Sequence, residues 1–234
     1  MEYRINSLSD IAIQYIKDQI LSARLKSGAK ITEADIAKTL QISRAPVREA
    51  LRTLSQNGLV TYSPRRGHFI LEMQREELFE VFQIRMALEL HILKILTANQ
   101  LLREEDFRYL EHLSREMSRN DLRDHGDHDR IFQLNLLDLD FHRYLWKRSN
   151  SDRRAGLLED FFMQLLIAMN INTVTLGTGE EKAQEHARLI KALRTNDVNL
   201  VREEFQMHLE KYVDATLGDL TENEKRNLQV VMSD

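Results

Sequence analysis

Ser43-Arg44-Ala45-Pro46-Val47-Arg48-Glu49-Ala50-Leu51-Arg52-Thr53-Leu54, followed closely by Gly58-Leu59-Val60-Thr61-Tyr62-Ser63-Pro64-Arg65-Arg66-Gly67-His68-Phe69, decides how the first third of this chain folds. Ser43 is a good helix N-cap. Pro46 falls in the first turn, where its missing N–H costs nothing because that donor has no intrahelical partner. Arg44, Arg48 and Arg52 recur every fourth residue and form one stripe, while Val47, Leu51 and Leu54 form an apolar stripe beside it. One face can bury while its neighbour stays outside and positive. Gly58 suits the left-handed residue that ends such a helix.

The pattern extends upstream. Leu8, Ile11, Ala12, Tyr15, Ile16, Ile20 and Leu21 share a helical face, predicting a helix over 8–25 that Lys26-Ser27-Gly28 breaks. Thr32 caps a short helix, Glu33 to Leu40, and Gln41-Ile42-Ser43 turns into the arginine-bearing helix. Two short helices joined this way make a helix-turn-helix. Leu59–Tyr62 and His68–Leu71 read as strands of a wing whose tip is Ser63 to Gly67. Residues 1–73 are therefore expected to form a winged helix-turn-helix, and 74–234 a second unit.

From Glu76 onward only helical periodicity is visible, with expected helices at 75–99, 103–120, 127–149, 151–173, 179–195 and 198–217, and a polar, fraying tail from Asp219. The fold class expected is mainly α: the winged unit plus an antiparallel all-α bundle. Phe132, Phe141, Phe161, Phe162 and Met163 read as bundle core. The link between the units lacks Gly and Pro, so the two should be tightly coupled.

Composition narrows the function. The chain has 234 residues, 42% apolar and 30% charged, as in ordinary globular proteins. It has no cysteine, which excludes disulfides and thiolate metal sites and fits a reducing cytoplasm. No apolar run reaches membrane-span length, and the N-terminus does not resemble a signal peptide. The net charge of −4 is uneven: residues 1–73 carry +4 and the rest −8. Only the first third is suited to a polyanion. Arg44 and Arg48, at the start of a recognition helix, can enter a major groove, with Arg52 placed for backbone contact. Arg65, Arg66, Gly67 and His68 on the wing can reach an adjacent groove or phosphates. The bland reading is a solvated basic face in which Glu49 pairs with Arg52.

In the second unit, Asp138 and His142 are i, i+4, about 6 Å apart along a helix. His186 and His208 flank the turn at Asn196-Asp197 at similar distances, so antiparallel helices hinged there bring them level. Three imidazoles and a carboxylate suit Zn²⁺, Ni²⁺, Mn²⁺ or Fe²⁺. Ordinary surface or hydrogen-bonded histidines are the alternative. Asp124 to Asp129 is acidic and histidine-bearing but reads as a loop and first helical turn. His91 and His112 have no evident partner. No nucleophile motif or phosphate loop is present; Gly177-Thr178-Gly179 is too short for one.

Ile11 to Ile70, above all Ser43 to Leu51, resembles the winged helix-turn-helix of GntR-superfamily transcription regulators. Arg85-Met86-Ala87-Leu88-Glu89, Asp138 to His142, Glu185-His186 and Met207-His208-Leu209, in that order, resemble the FCD ligand-binding domain of the FadR subfamily. The resemblance implies a homodimer on an inverted-repeat double-stranded operator. It implies a divalent metal held by Asp138, His142, His186 and His208, and a small-molecule effector, often an organic acid, beside it. Arg85 corresponds to an arginine able to grip the effector carboxylate, unless it pairs with Glu89. Two departures stand out: Ala34 replaces a polar residue on the first helix of the helix-turn-helix, and Asn170-Ile171-Asn172 occupies the place of a second effector-facing arginine, leaving Asn172 there. The expectation is an effector-responsive, non-enzymatic, cytoplasmic transcription regulator without membrane contact. The rivals are a metalloenzyme with an appended DNA-binding head, for which the sequence offers no clear general base although Glu185 and Asp140 are near, and a purely structural metal.

Overall fold

The computed structural model describes residues 7–120, 127–169 and 178–233. In chain order the elements are α1 (Leu8–Leu21), β1 (Lys30–Ile31), α2 (Glu33–Leu40), α3 (Arg44–Gln56), β2 (Val60–Ser63) and β3 (Gly67–Ile70), then α4 (Arg75–Ala98), α5 (Glu104–Arg119), α6 (His128–Arg148), α7 (Asp152–Met169), α8 (Gly179–Thr195), α9 (Val198–Leu217) and α10 (Glu222–Ser233).

The head is built on α1 and α3. Ala12, Ile16 and Ile20 pack with Val47, Leu51, Leu54, Leu59 and Ile70, all fully buried. Removing this apolar surface from water drives the head to form. α1 begins with a reciprocal capping box between Ser7 and Asp10. It stops at Leu21, short of the expected residue 25, and Ala23 takes a left-handed φ of 55° just beyond. Gln41 ends α2 in a left-handed conformation, and Ser43 starts α3 from the N-cap position without a side-chain cap bond. Gly58, at φ 70°, follows the end of α3 as expected. β1 was not legible: it is two residues long, with Lys30 opposite Phe69 and Ile31 opposite His68, making a sheet of order β1-β3-β2.

The bundle packs α4 against α7 and α9, α5 against α6 and α8, and α8 against α9. Thr178 and Glu181 form a capping box at the start of α8. The hinge at Asn196-Asp197 is real: Asn196 is left-handed, and Asp197 caps α9 through Asn199 and Leu200 N–H. Of the aromatic cluster, Phe141, Phe162 and Met163 are buried, whereas Phe132 and Phe161 are half-buried. The tail is a correction. It forms α10, because Thr221 and Glu224 cap each other and Leu228 buries against the bundle. Arg75 adds a clamp: it donates to the carbonyls of Leu217 and Asp219 and to Glu224. Among the described residues no helix is long and apolar enough to cross a membrane.

The head lies against the bundle, with α1 packed on α6 and α7. Lys17 pairs with Glu159 at 2.9 Å, Asn57 donates to Asp160 at 3.0 Å, and Gln164 donates to the Asn57 carbonyl at 3.0 Å. The expected tight coupling is made in part through these side chains of α7.

Candidate functional site

Two sites emerge, one on the head and one inside the bundle. On the head, Arg44, Arg48 and Arg52 project from α3 into solvent. Arg48 is held by Glu33 at the start of α2, with Nε to Oε1 and Nη2 to Oε2 both 2.8 Å. This pair, not one between Glu49 and Arg52, organises the stripe. Glu33 is consequently more acidic than usual, chiefly through its hydrogen bonds from Arg48. Arg66 lies over the Phe69 ring, 5.2 Å from its centroid. Arg65 sits at the wing tip with φ 66°, where the Arg66 N–H closes a turn onto the Ser63 carbonyl. His68 stands opposite Tyr62 across β2 and β3, their rings 5.0 Å apart. Tyr62, Arg44, Lys30 and His68 line one shallow depression on this face. Tyr62 and Lys30 escaped the sequence reading because a lone exposed aromatic and a lone lysine carry no pattern.

Inside the bundle, α6 supplies Asp138 and His142, α8 supplies His186, and α9 supplies His208, all at least 95% buried. The three imidazoles present ring nitrogens within 4.8 Å of one another. Asp138 Oδ1 lies 3.2 Å from His186 Nε2 and 3.8 Å from His142 Nε2. His208 Nε2 faces His142 Nε2 at 3.2 Å.

The outward nitrogens explain this convergence. His142 Nδ1 faces Glu89 Oε2 at 3.1 Å, His186 Nδ1 faces the Lys182 carbonyl at 2.7 Å, and His208 Nδ1 faces Glu185 Oε2 at 3.3 Å. The acceptors at His142 and His186 hold the ring proton on Nδ1 and leave Nε2 as a lone pair aimed inward, whereas His208 Nδ1 makes no hydrogen bond. His142 and His208 then bring two Nε2 atoms face to face, and Asp138 Oδ1, His186 Nε2 and His208 Nδ1 are buried without a hydrogen-bond partner. Such a set is costly alone and satisfied by a cation. The donors thus fit a divalent transition metal. Burial keeps His142 and His208 from protonating; the His208 pKa falls to about 3. Burial raises the Asp138 pKa, but Lys182 and the neighbouring histidines outweigh it and hold the carboxyl ionised.

Around the donors stand Arg85 and Glu89, named from the sequence, and Lys182, Trp146 and Tyr212, which carry no sequence pattern of their own. Lys182 Nζ donates to Asp138 Oδ2 at 2.9 Å and to the Tyr212 hydroxyl at 2.8 Å. Arg85 Nε donates to Glu89 Oε1, and the guanidinium lies over the Phe162 ring. Arg85 therefore makes the i, i+4 pair with Glu89 while also lining the cavity. Burial would raise the Glu89 pKa, but Arg85 and His142 outweigh it and lower it to about 2. Trp146 Nε1 donates to the same carboxylate at 2.9 Å. Asn172 lies outside the described residues. Of the two candidate bases, Glu185 pairs with Lys211 and faces His208, and Asp140 pairs with Arg143 at 2.7 Å. The cavity bordered by Asp138, His142 and His208, together with Arg85 and Lys182, holds about 10 Å³, room for an ion or one water.

Comparison with known proteins agrees with this architecture. Residues 8–70 match the bacterial regulatory proteins of the gntR family, and residues 80–211 match the FCD domain. YdhC of Bacillus subtilis (strain 168), named an uncharacterized HTH-type transcriptional regulator, is 26% identical over 195 residues, covering 82% of this chain and 84% of its own. The HTH-type transcriptional regulator McbR of Escherichia coli (strain K12) is 25% identical over 184 residues, covering 78% and 80%. The solved E. coli McbR/YncC structure superposes with a TM-score of 0.77 at 22% identity, over 89% of this chain and 96% of that one, showing the same fold. The winged head, the helical bundle and both family matches lead to one conclusion: this chain is a DNA-binding transcriptional regulator of the GntR family with an FCD domain.

Proposed function

We propose that this regulator binds its operator as a homodimer and that a divalent metal and an anionic effector in the bundle set its affinity for DNA. The observation that carries the reading is the inward convergence of Asp138, His142, His186 and His208, with Nδ1 of His142 and His186 held by acceptors. Those four residues would hold the metal, which supplies a Lewis-acidic centre for oxygen ligands of a small molecule. Arg44, Arg48 and the wing read DNA, and a second copy places a second head on the other half of an inverted repeat.

Charge matching supports an anion as effector. Each carboxylate around the donors has its own cation: Asp138 has Lys182, Glu89 has Arg85, and Glu185 has Lys211. Imidazoles that ligate a metal bind as neutral rings, so the positive charge of a bound metal has no protein counter-charge left. A carboxylate or similar anion supplies it, and Lys182 and Arg85 line the cavity where it would enter. The existing space admits only an ion, so an organic acid must push the cavity walls apart.

The test has two steps. Elemental analysis of untagged protein should show about one metal per chain, lost in His186→Ala. Thermal melting of the metal-loaded protein against a panel of organic acids should then raise Tm for at least one. That acid should shift affinity for a selected operator. Metal-free wild-type protein, or stabilisation with no change in DNA affinity, rejects the reading.

A further inference from the structure

One of the helices that hold the metal donors, α6, also holds the head. α6 carries Asp138 and His142, and three residues before Asp138 it carries Asn135, which is buried and lines the same cavity. The Asn135 Nδ2 donates to the Leu21 carbonyl at 2.8 Å. Leu21 is the last residue of α1, where carbonyls have no later helical N–H to accept from. A turn or two earlier on α6, His128 Nδ1 lies 2.7 Å from the Ser22 carbonyl, and Asp129 pairs with Arg24 at 2.7 Å. α6 thus caps the C-terminus of α1 across the junction between head and bundle. Asn135 alone among these three residues also borders the metal cavity.

This placement has a mechanical consequence. An ion bound by Asp138 and His142 fixes the stretch of α6 that aims Asn135. An effector too large for the present cavity displaces its walls, Asn135 included. Close-packed interiors pass such displacements on rather than absorb them. α1 packs directly on the recognition helix α3, so a change in how its end is held moves the reading face.

We propose that Asn135 is the positioning residue through which the state of the metal cavity reaches the DNA-binding head. The inference rests on the metal reading above and adds to it the route by which occupancy becomes a change in the head. Its conformational element is the seat of α1 on α6, which ligand occupancy biases.

The test uses Zn²⁺ alone as the probe and the intact protein. Zinc titration reports binding, and amide hydrogen exchange reports the head. The informative amides are Ser22, Ala23, Arg24 and Leu25, whose N–H groups close the end of α1 onto the carbonyls of residues 18–20. In wild type, Zn²⁺ should slow their exchange by about fivefold, the worth of one neutral hydrogen bond. Asn135→Leu keeps the volume and removes the donor, and its exchange is read at zinc saturation, fixed by its own titration. Its α1 amides should no longer respond. Asn135→Ala should behave the same way. His128→Ala removes a cap that does not border the cavity. It should speed exchange with and without metal yet keep the zinc response, which separates a positioning role from a structural one. A wild-type zinc response surviving in Asn135→Leu overturns the proposal. So does zinc protection confined to α6 in wild type. Failure of wild type to bind zinc at all is read directly from the titration and rejects the metal reading instead.

Discussion

Arg48 and Glu33 form a two-pronged pair across the helix-turn-helix, each bond 2.8 Å long, on the exposed arginine face proposed to meet DNA. The fork geometry fixes the guanidinium plane in one orientation before DNA arrives. The carboxylate also sets a negative charge beside a surface that must approach phosphates. Glu33 therefore trades general attraction for orientation. Glu33→Gln should raise affinity for random-sequence DNA and narrow the gap between operator and random sequence. Arg48→Ala should cost ~1–3 kcal/mol on operator DNA. Competition binding at matched salt measures both, and an unchanged specificity ratio in Glu33→Gln refutes the orienting role.

Glu89 should matter to the metal without touching it. It accepts from Arg85, from His142 Nδ1 and from Trp146 Nε1, so it fixes the His142 tautomer and ring plane. Loss of such a partner weakens metal affinity ~10–100-fold. Glu89→Gln should show that loss in a chelator competition while retaining helicity. Equal affinity would mean that the outward hydrogen bond is incidental.

How much of this was readable beforehand follows from periodicity. Helices with a clear apolar face, such as α3 and α5, announced themselves. The hinge at Asn196-Asp197 brought His186 and His208 level, but spacing alone left ordinary histidines as the alternative, and the family resemblance, not the period, singled out the metal set. β1 was invisible because two residues hold no period, and Ile31 alone cannot signal a strand. α10 was masked by charged residues around Leu228, its stability coming from the Arg75 clamp over a distant stretch of chain. The same long-range logic hid Glu33 and Lys182. Local spacing offered Glu49 to Arg52, and only the docking of α2 on α3 brought Glu33 to Arg48. Lys182 sits four residues before His186 on α8, a relation that acquires meaning when Asp138 arrives from α6.

The junction between head and bundle should respond to acid through two neighbouring carboxylates with opposite shifts. At Glu159, burial raises the pKa, but Lys17 and Arg143 outweigh it and hold it below 4.5. Its stabilising contribution is present above the unfolded value and disappears as pH falls through the lowered folded value. At Asp160, burial raises the pKa above 3.8. That carboxyl favours the folded state at low pH and loses the contribution as pH rises through its folded value. Glu159→Gln should therefore lower Tm at pH 7, with the deficit shrinking below about pH 4.5. Asp160→Asn should leave Tm at pH 7 unchanged or higher. Melting curves across this range check both signs, and parallel pH profiles for the two variants would contradict the assignment.

Gly179 opens α8 where it meets the end of α5. A methyl group there would fall onto the backbone oxygens of Met117 and Asn120. Backbone cannot swing aside as a side chain can, so Gly179→Ala must push α8 away from α5. Overpacking of this kind costs ~1–3 kcal/mol. Because His186 rides on α8, metal affinity should fall along with Tm. A variant of wild-type stability would show that this junction yields freely.

Arg65 offers the sharpest separation of stability from function. It occupies the wing tip at φ 66°, a conformation that glycine adopts without strain and arginine does not. Its turn is closed by the Arg66 N–H on the Ser63 carbonyl, an arrangement that favours glycine at the third position. A charged residue held there at a cost of ~1 kcal/mol is expected where its side chain has work to do. Arg65→Gly should therefore raise the melting temperature of the head slightly, by relieving strain. It should also weaken binding across all DNA sequences and lower the salt dependence by the loss of about one phosphate contact. Thermal melting and salt-titrated binding on the same variant test both directions together. A fall in stability, or an unchanged salt slope, would place Arg65 outside the DNA interface.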